Sequence, residues 1–77
     1  MRLEKYYQIS SAVKRGSDIS GVASSRNAAL NKIGNVLMDR DMQVEDIYYR
    51  DDPHKHNEVL KCDDGSLFFI DRVVVGC

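Results

Sequence analysis

The first strong pattern along the chain has a period of two. In residues 5–13, KYYQISSAV, one side carries Tyr7, Ile9, Ser11 and Val13 and the other Tyr6, Gln8, Ser10 and Ala12, the alternation of a half-buried strand. Lys14-Arg15-Gly16-Ser17 reads as a turn in which Gly16 is free to take positive φ. Residues 18–23, DISGVA, predict a second strand. Ile19 and Val22 break strict alternation across Gly21, so a bulge is expected there. The period then changes. Behind Ser24 or Ser25, either able to cap a helix, Ala29, Leu30, Ile33, Val36 and Leu37 recur as the single apolar stripe of a helix reaching about Asp39. Gly34 weakens that helix by about 1 kcal/mol relative to Ala, a cost that packing can override.

After Asp39-Arg40-Asp41 the chain returns to strand-like composition. QVEDIYYR, residues 43–50, is β-branched and aromatic, and residues 58–62 form the next short strand. Asp63-Asp64-Gly65-Ser66 is a hairpin turn that places Cys62 opposite Leu67. LFFIDRVVV, residues 67–75, is the most apolar stretch and is expected at the sheet centre. Short connections favour antiparallel neighbours. The predicted architecture is therefore α+β in the order ββαβββ: one domain, with one helix packed on a twisted antiparallel sheet. Within Tyr6-Tyr7 and Tyr48-Tyr49, one ring of each pair is expected under the helix and the other on the sheet.

Length bears on assembly. A chain of 77 residues buries only about 60–65% of the surface it exposes when unfolded, which leaves a homodimer open. No apolar run approaches the roughly 18–20 residues of a membrane-spanning helix, and MRLEKYYQ lacks the apolar stretch of a secretory signal. A cytoplasmic location is expected. The net charge is −1 but is unevenly spread: residues 1–38 carry a net of +4 and residues 39–64 a net of −5. Such asymmetry can orient a charged partner on approach.

The stretch DDPHKHNEVLKCDDG, residues 51–65, holds both histidines, the only proline and Cys62. Zinc ligands lie roughly 2.0–2.3 Å from the metal. His56 is six residues from Cys62, roughly 20 Å along a strand at about 3.3 Å per residue, so His54, His56 and Cys62 cannot share one ion unless the loop folds back. Hairpin counting puts Cys77 near Asp52 and far from Cys62. A Cys62–Cys77 disulfide, which needs Cα atoms within about 7 Å, is not expected. Unpaired thiols fit a reducing compartment. His54, His56 and Cys77 across a dimer are the residual metal set, and no metal or cofactor is expected. The segment reads as a polar loop between strands, with the Asp residues bonding local backbone and Pro53 fixing φ.

Catalytic signatures are missing. The chain has no G-x-S-x-G, GxxxxGK[ST], HExxH or CxxC, and the adjacent pairs Asp51-Asp52 and Asp63-Asp64 do not span a dry cleft. A non-catalytic role is expected. Two binding classes remain. Tyr6, Tyr7, Tyr48, Tyr49 and Arg50 on strands suit a stacking platform for nucleic-acid bases, with Lys14-Arg15 at phosphates. The slightly negative total charge weighs against it. Edge strands bearing tyrosines suit a protein interface better.

The succession KYYQISSAV, a charged turn, DISGVA and SSRNAALNKIGNVL, followed by short strands, resembles many very small phage and prophage proteins. It is also similar in outline to small anti-CRISPR proteins with a single helix on an antiparallel sheet. That resemblance implies stoichiometric attachment to a host or phage protein, as an accessory protein or inhibitor of a host defence complex. The residues expected to make contact are Tyr48, Tyr49, Arg50, Lys14 and Arg15. A small nucleic-acid-binding protein is the alternative, and no membrane role is expected.

Overall fold

The computed structural model of the protein describes residues 3–50 and 56–76. Its elements follow the expected order: β1 (Leu3–Ala12), β2 (Ser20–Ala23), α1 (Arg26–Asp39), β3 (Val44–Tyr49), β4 (Glu58–Cys62) and β5 (Leu67–Gly76). The strands form one antiparallel sheet in the order β2-β1-β5-β4-β3, with α1 on one face. β5 is central, as its largely apolar run predicts, and pairs with β1 over ten positions from Leu3↔Gly76 to Ala12↔Leu67. No helix among the described residues is long and apolar enough to cross a membrane.

Helix α1 begins where its capping chemistry says it should. Ser25 has extended backbone, φ −146° and ψ 163°, and its hydroxyl accepts a 3.1 Å hydrogen bond from the Ala28 amide. At the other end Asp41 takes the left-handed conformation at φ 53°. Its amide donates to the Met38 carbonyl at 3.3 Å, and the Met42 amide donates to the Leu37 carbonyl at 2.9 Å. This is a Schellman closure with Asp in the position glycine usually takes, and it drives Met42 into the core. Ala29 and Ile33 are fully buried, and Leu30, Val36 and Leu37 pack beside them. The predicted stripe is thus the face laid on the sheet.

Against that stripe the sheet presents Ile9, Ala23, Leu60, Cys62, Phe68 and Ile70. Strand alternation sends Tyr48, Val59 and Phe69 to the opposite face, where no helix lies. The turn sets this partition. The expected pairing of Cys62 with Leu67 is wrong by one residue: Cys62 donates its amide to the Ser66 carbonyl at 2.8 Å, and Lys61 pairs with Leu67. The connection is a three-residue loop, with Gly65 N–H on the Cys62 carbonyl at 3.1 Å and Gly65 left-handed at φ 91°. A one-residue slip exchanges the two faces of a strand. It makes Phe68, not Phe69, the core aromatic.

Two further expectations need correction. No bulge forms at Gly21, which stays in register opposite Ile9. The strand begins only at Ser20, so Ile19 reaches the core from the preceding loop, its amide held by Ser11 Oγ at 2.7 Å, while Val22 faces out. The irregularity lies instead in β3, between Val44 and Asp46. The tyrosine pairs also differ from each other. Tyr7 packs against the core, but Tyr48 and Tyr49 are both exposed, because β3 is the sheet edge and α1 lies over β2, β1 and β5.

Cys62 is fully buried in this core, and burial, reinforced by Asp64 and Asp63, pushes its thiol up from the ordinary range. Only thiolates react at useful rates. Iodoacetamide at neutral pH is therefore expected to label Cys62 at least about tenfold more slowly in the folded protein than in urea, read peptide by peptide in a mass spectrometer. Equal rates would show that this part of the core opens readily. The sign of the pH effect follows: the stability tied to the neutral thiol is complete below the ordinary thiol range and declines as pH rises through the elevated folded value.

A cationic cleft at the uncovered end of the sheet

Because α1 covers only half the sheet, its first turn and the β4–β3 edge leave a cleft of about 250 Å³ between them. Tyr7 from β1, Ile70 and Arg72 from β5, Glu58 from β4, Tyr49 from β3, Arg26 from α1, and Arg50 and Asn57 line it. Registry brings these residues together. Tyr7 pairs with Arg72, and Glu58 lies opposite both Ile70 and Tyr49, so all five share the helix-facing side. The Arg50 amide donates to the Asn57 carbonyl at 2.7 Å, and the Asn57 side chain accepts from the Arg72 amide at 2.9 Å. These bonds extend the strand ladders past the last formal pair and hold both arginine backbones.

Inside the cleft one charge is settled and two are not. Glu58 is buried, and Arg26 grips its carboxylate with both arms: Nη2 to Oε1 at 2.6 Å and Nε to Oε2 at 3.0 Å. The same Nη2 donates to Tyr49 Oη at 2.7 Å, with the guanidinium carbon 5.7 Å from the Tyr49 ring centroid. Chiefly through its hydrogen bond to Glu58, Arg26 is held even more firmly protonated than usual. Arg26 thus serves the floor of the cleft. Arg50 and Arg72 are exposed, and among the described residues neither guanidinium has an acidic partner. With one of three arginines neutralised, the cleft presents two planar forks suited to carboxylate or phosphate groups.

The five contact residues expected from sequence are divided by the fold. Tyr49 and Arg50 line the cleft, whereas Tyr48 projects from the opposite face of β3. Lys14 and Arg15 follow the far end of β1, roughly 25 Å from Tyr7 at about 3.3 Å per residue. Four residues of the site were not foreseen: Arg26, Glu58, Asn57 and Arg72. One of them left a trace. In EVLKC, residues 58–62, Glu58 shares its parity with Leu60 and Cys62, so a carboxylate on the inward side of a buried strand was readable.

The metal expectations separate in the same way. His54 and Cys77 lie outside the described residues. His56 turns to the face opposite Cys62, stacking on Phe69 with centroids 3.9 Å apart and meeting Asp71 Oδ2 through Nδ1 at 2.6 Å. Among the described residues no group of three metal-ligating side chains converges.

Fold and cleft together define a two-layer α+β domain with a cationic groove beside its free sheet edge. Family models, curated proteins and solved structures show no match to this chain.

Proposed function

We propose that the protein is a non-catalytic binding module that takes an acidic segment of another protein along the β3 edge and into the arginine cleft. The observation that carries this reading is the pair Arg50 and Arg72, whose guanidinia have no acidic partner among the described residues, placed beside a sheet edge whose side chains from Glu45 to Tyr49 are all exposed. A free edge offers unpaired backbone groups to an extended chain, and the arginines supply charge selection for its acidic residues. At the bulged start of β3 the Asp46 carboxylate accepts from the Ile47 amide at 2.9 Å, which caps the acidic end of the edge and directs pairing towards Tyr49. In the cytoplasm such a module would act stoichiometrically on a host or phage protein, the mode that the resemblance to small phage proteins implies.

The test reverses the two charges. Arg50→Glu/Arg72→Glu lies at the surface and should leave the fold intact. Capture of the partner from the native host should be lost, while Tyr48→Ala retains it. A photo-crosslinker at position 49 should label the same partner. Capture unchanged by the double reversal would overturn the assignment. The nucleic-acid alternative predicts salt-sensitive binding of a single-stranded oligonucleotide at roughly 50 mM salt, and a flat anisotropy titration would end it.

A further inference from the structure

Beyond its helix-covered body the sheet narrows to a ribbon of two strands. β2 pairs with β1 only from Ser10↔Ser20 to Tyr7↔Ala23, and β4 pairs with β5 only from Lys61↔Leu67 to Glu58↔Ile70. Among the described residues, 3–6 and 73–76 therefore have only each other as strand neighbours. A lone two-stranded ribbon is marginal in water. This one also leaves Val74 55% and Val75 45% exposed, on opposite faces.

Strand parity identifies the backbone groups left over. The Cys62 amide donates to the Ser66 carbonyl and the Arg72 amide to Asn57 Oδ1, so the even-numbered residues of β5 point to the β4 side. At Arg72 a side chain has already replaced the β4 backbone as acceptor, and His56, which leads into β4, turns off the ladder onto Phe69 and Asp71. The N–H and C=O of Val74 and Gly76 point the same way, and among the described residues nothing bonds them. The other edges are guarded, as the edges of natural sheets usually are. β2 is four residues long, and Lys32 Nζ caps its Val22 carbonyl at 2.6 Å. β3 opens with Glu45, Asp46 and a bulge. The β1 side of the ribbon carries Glu4 and Lys5, and a two-fold axis through its middle opposes one of them with its own copy, a like-charge pair. The Val73–Gly76 edge has no charge, no proline and no bulge.

We infer that this edge pairs with the same edge of a second copy of the chain, antiparallel about a two-fold axis at Val75. That register sets Val75 against Val75 and Val74 against Gly76 in both directions, with reciprocal backbone hydrogen bonds and valine side chains meeting on both faces. An axis at Val74 would need the Arg72 amide, which Asn57 already holds. The pairing stops short of Arg72, so the arginine cleft of each copy stays open and the inference is independent of the acidic-segment reading. So short a contact buries well under the roughly 800 Å² per partner of a stable interface, and the dimer is accordingly weak, forming at about 100 µM and above.

The test is sedimentation of the whole chain from roughly 10 µM to 1 mM, over which the average mass should climb towards that of a dimer. Val75→Lys, at an exposed position past the last β4 pair, spares the fold and opposes two ammonium groups on the axis. It should weaken association by about tenfold or more. Val75→Cys in a Cys77→Ser background should cross-link the two copies under mild oxidation. Val22→Cys in the same background, more exposed but on the guarded β2 edge, should lag behind it. A monomer mass at every concentration, association untouched by Val75→Lys, or equal cross-linking from positions 22 and 75 would each overturn the inference.

Discussion

Phe68→Ala is expected to remove about 3–5 kcal/mol of folding stability, the usual cost of truncating a fully enclosed aromatic ring. Phe68 is 0% exposed and sits centrally among Ile9, Ile33, Leu60 and Ile70. In a chain of 77 residues that loss corresponds to a melting-temperature drop of about 15 °C or more. A domain of this size has a total stability of only about 5–10 kcal/mol, so the variant should be partly unfolded at 37 °C. Its neighbour supplies the control. Phe69 is only half-buried on the other face, where its ring meets His56, and Phe69→Ala should cost roughly 1–2 kcal/mol. Urea melts of both variants decide the matter. Equal losses would mean that the β4–β5 register, and the core built on it, is wrong.

The second large effect is expected at the floor of the cleft. Arg26→Ala should destabilise by about 2–3 kcal/mol, because it strands the Glu58 carboxylate in a site where its side chain is only 6% exposed. A fully buried pair would lose more. Arg26 itself keeps 41% of its side chain in water, which screens part of the interaction. Arg26→Ala/Glu58→Gln should recover most of the loss, since the stranded charge and not the missing contact dominates it. The double-mutant cycle in urea measures that coupling directly. A negligible cost for Arg26→Ala would show that water reaches Glu58 freely and that the cleft has no firm floor.

Most of the architecture was legible in the order of residues. The stripe Ala29, Leu30, Ile33, Val36 and Leu37 can be buried only by a helix against one surface, and Ser25 can satisfy its first amides. The run LFFIDRVVV has few polar positions to give to solvent, so it belongs between two other strands, where β5 lies. Tyr49 and Arg50 stand out as contact residues for their aromatic and basic character and do line the cleft, but the edge position that exposes them comes from the sheet order and not from the sequence.

What escaped the sequence was distance across the chain. Whether the hairpin after Cys62 holds two or three residues depends on Gly65 adopting a left-handed turn, and Asp63-Asp64-Gly65-Ser66 is compatible with both. That single residue decides which phenylalanine enters the core. Arg72 and Arg26 carried no signal of their own. They become neighbours only because Tyr7 pairs with Arg72, and because Glu58 draws Arg26 across from the start of α1.

By itself, then, the sequence determined the elements and the buried stripe of α1, because periodicity and capping act within one strand or one helical turn. Tertiary structure alone decided the arginine cleft, which gathers Arg26, Arg50 and Arg72 from far apart along the chain, and only strand register and the place where α1 rests bring them to one wall.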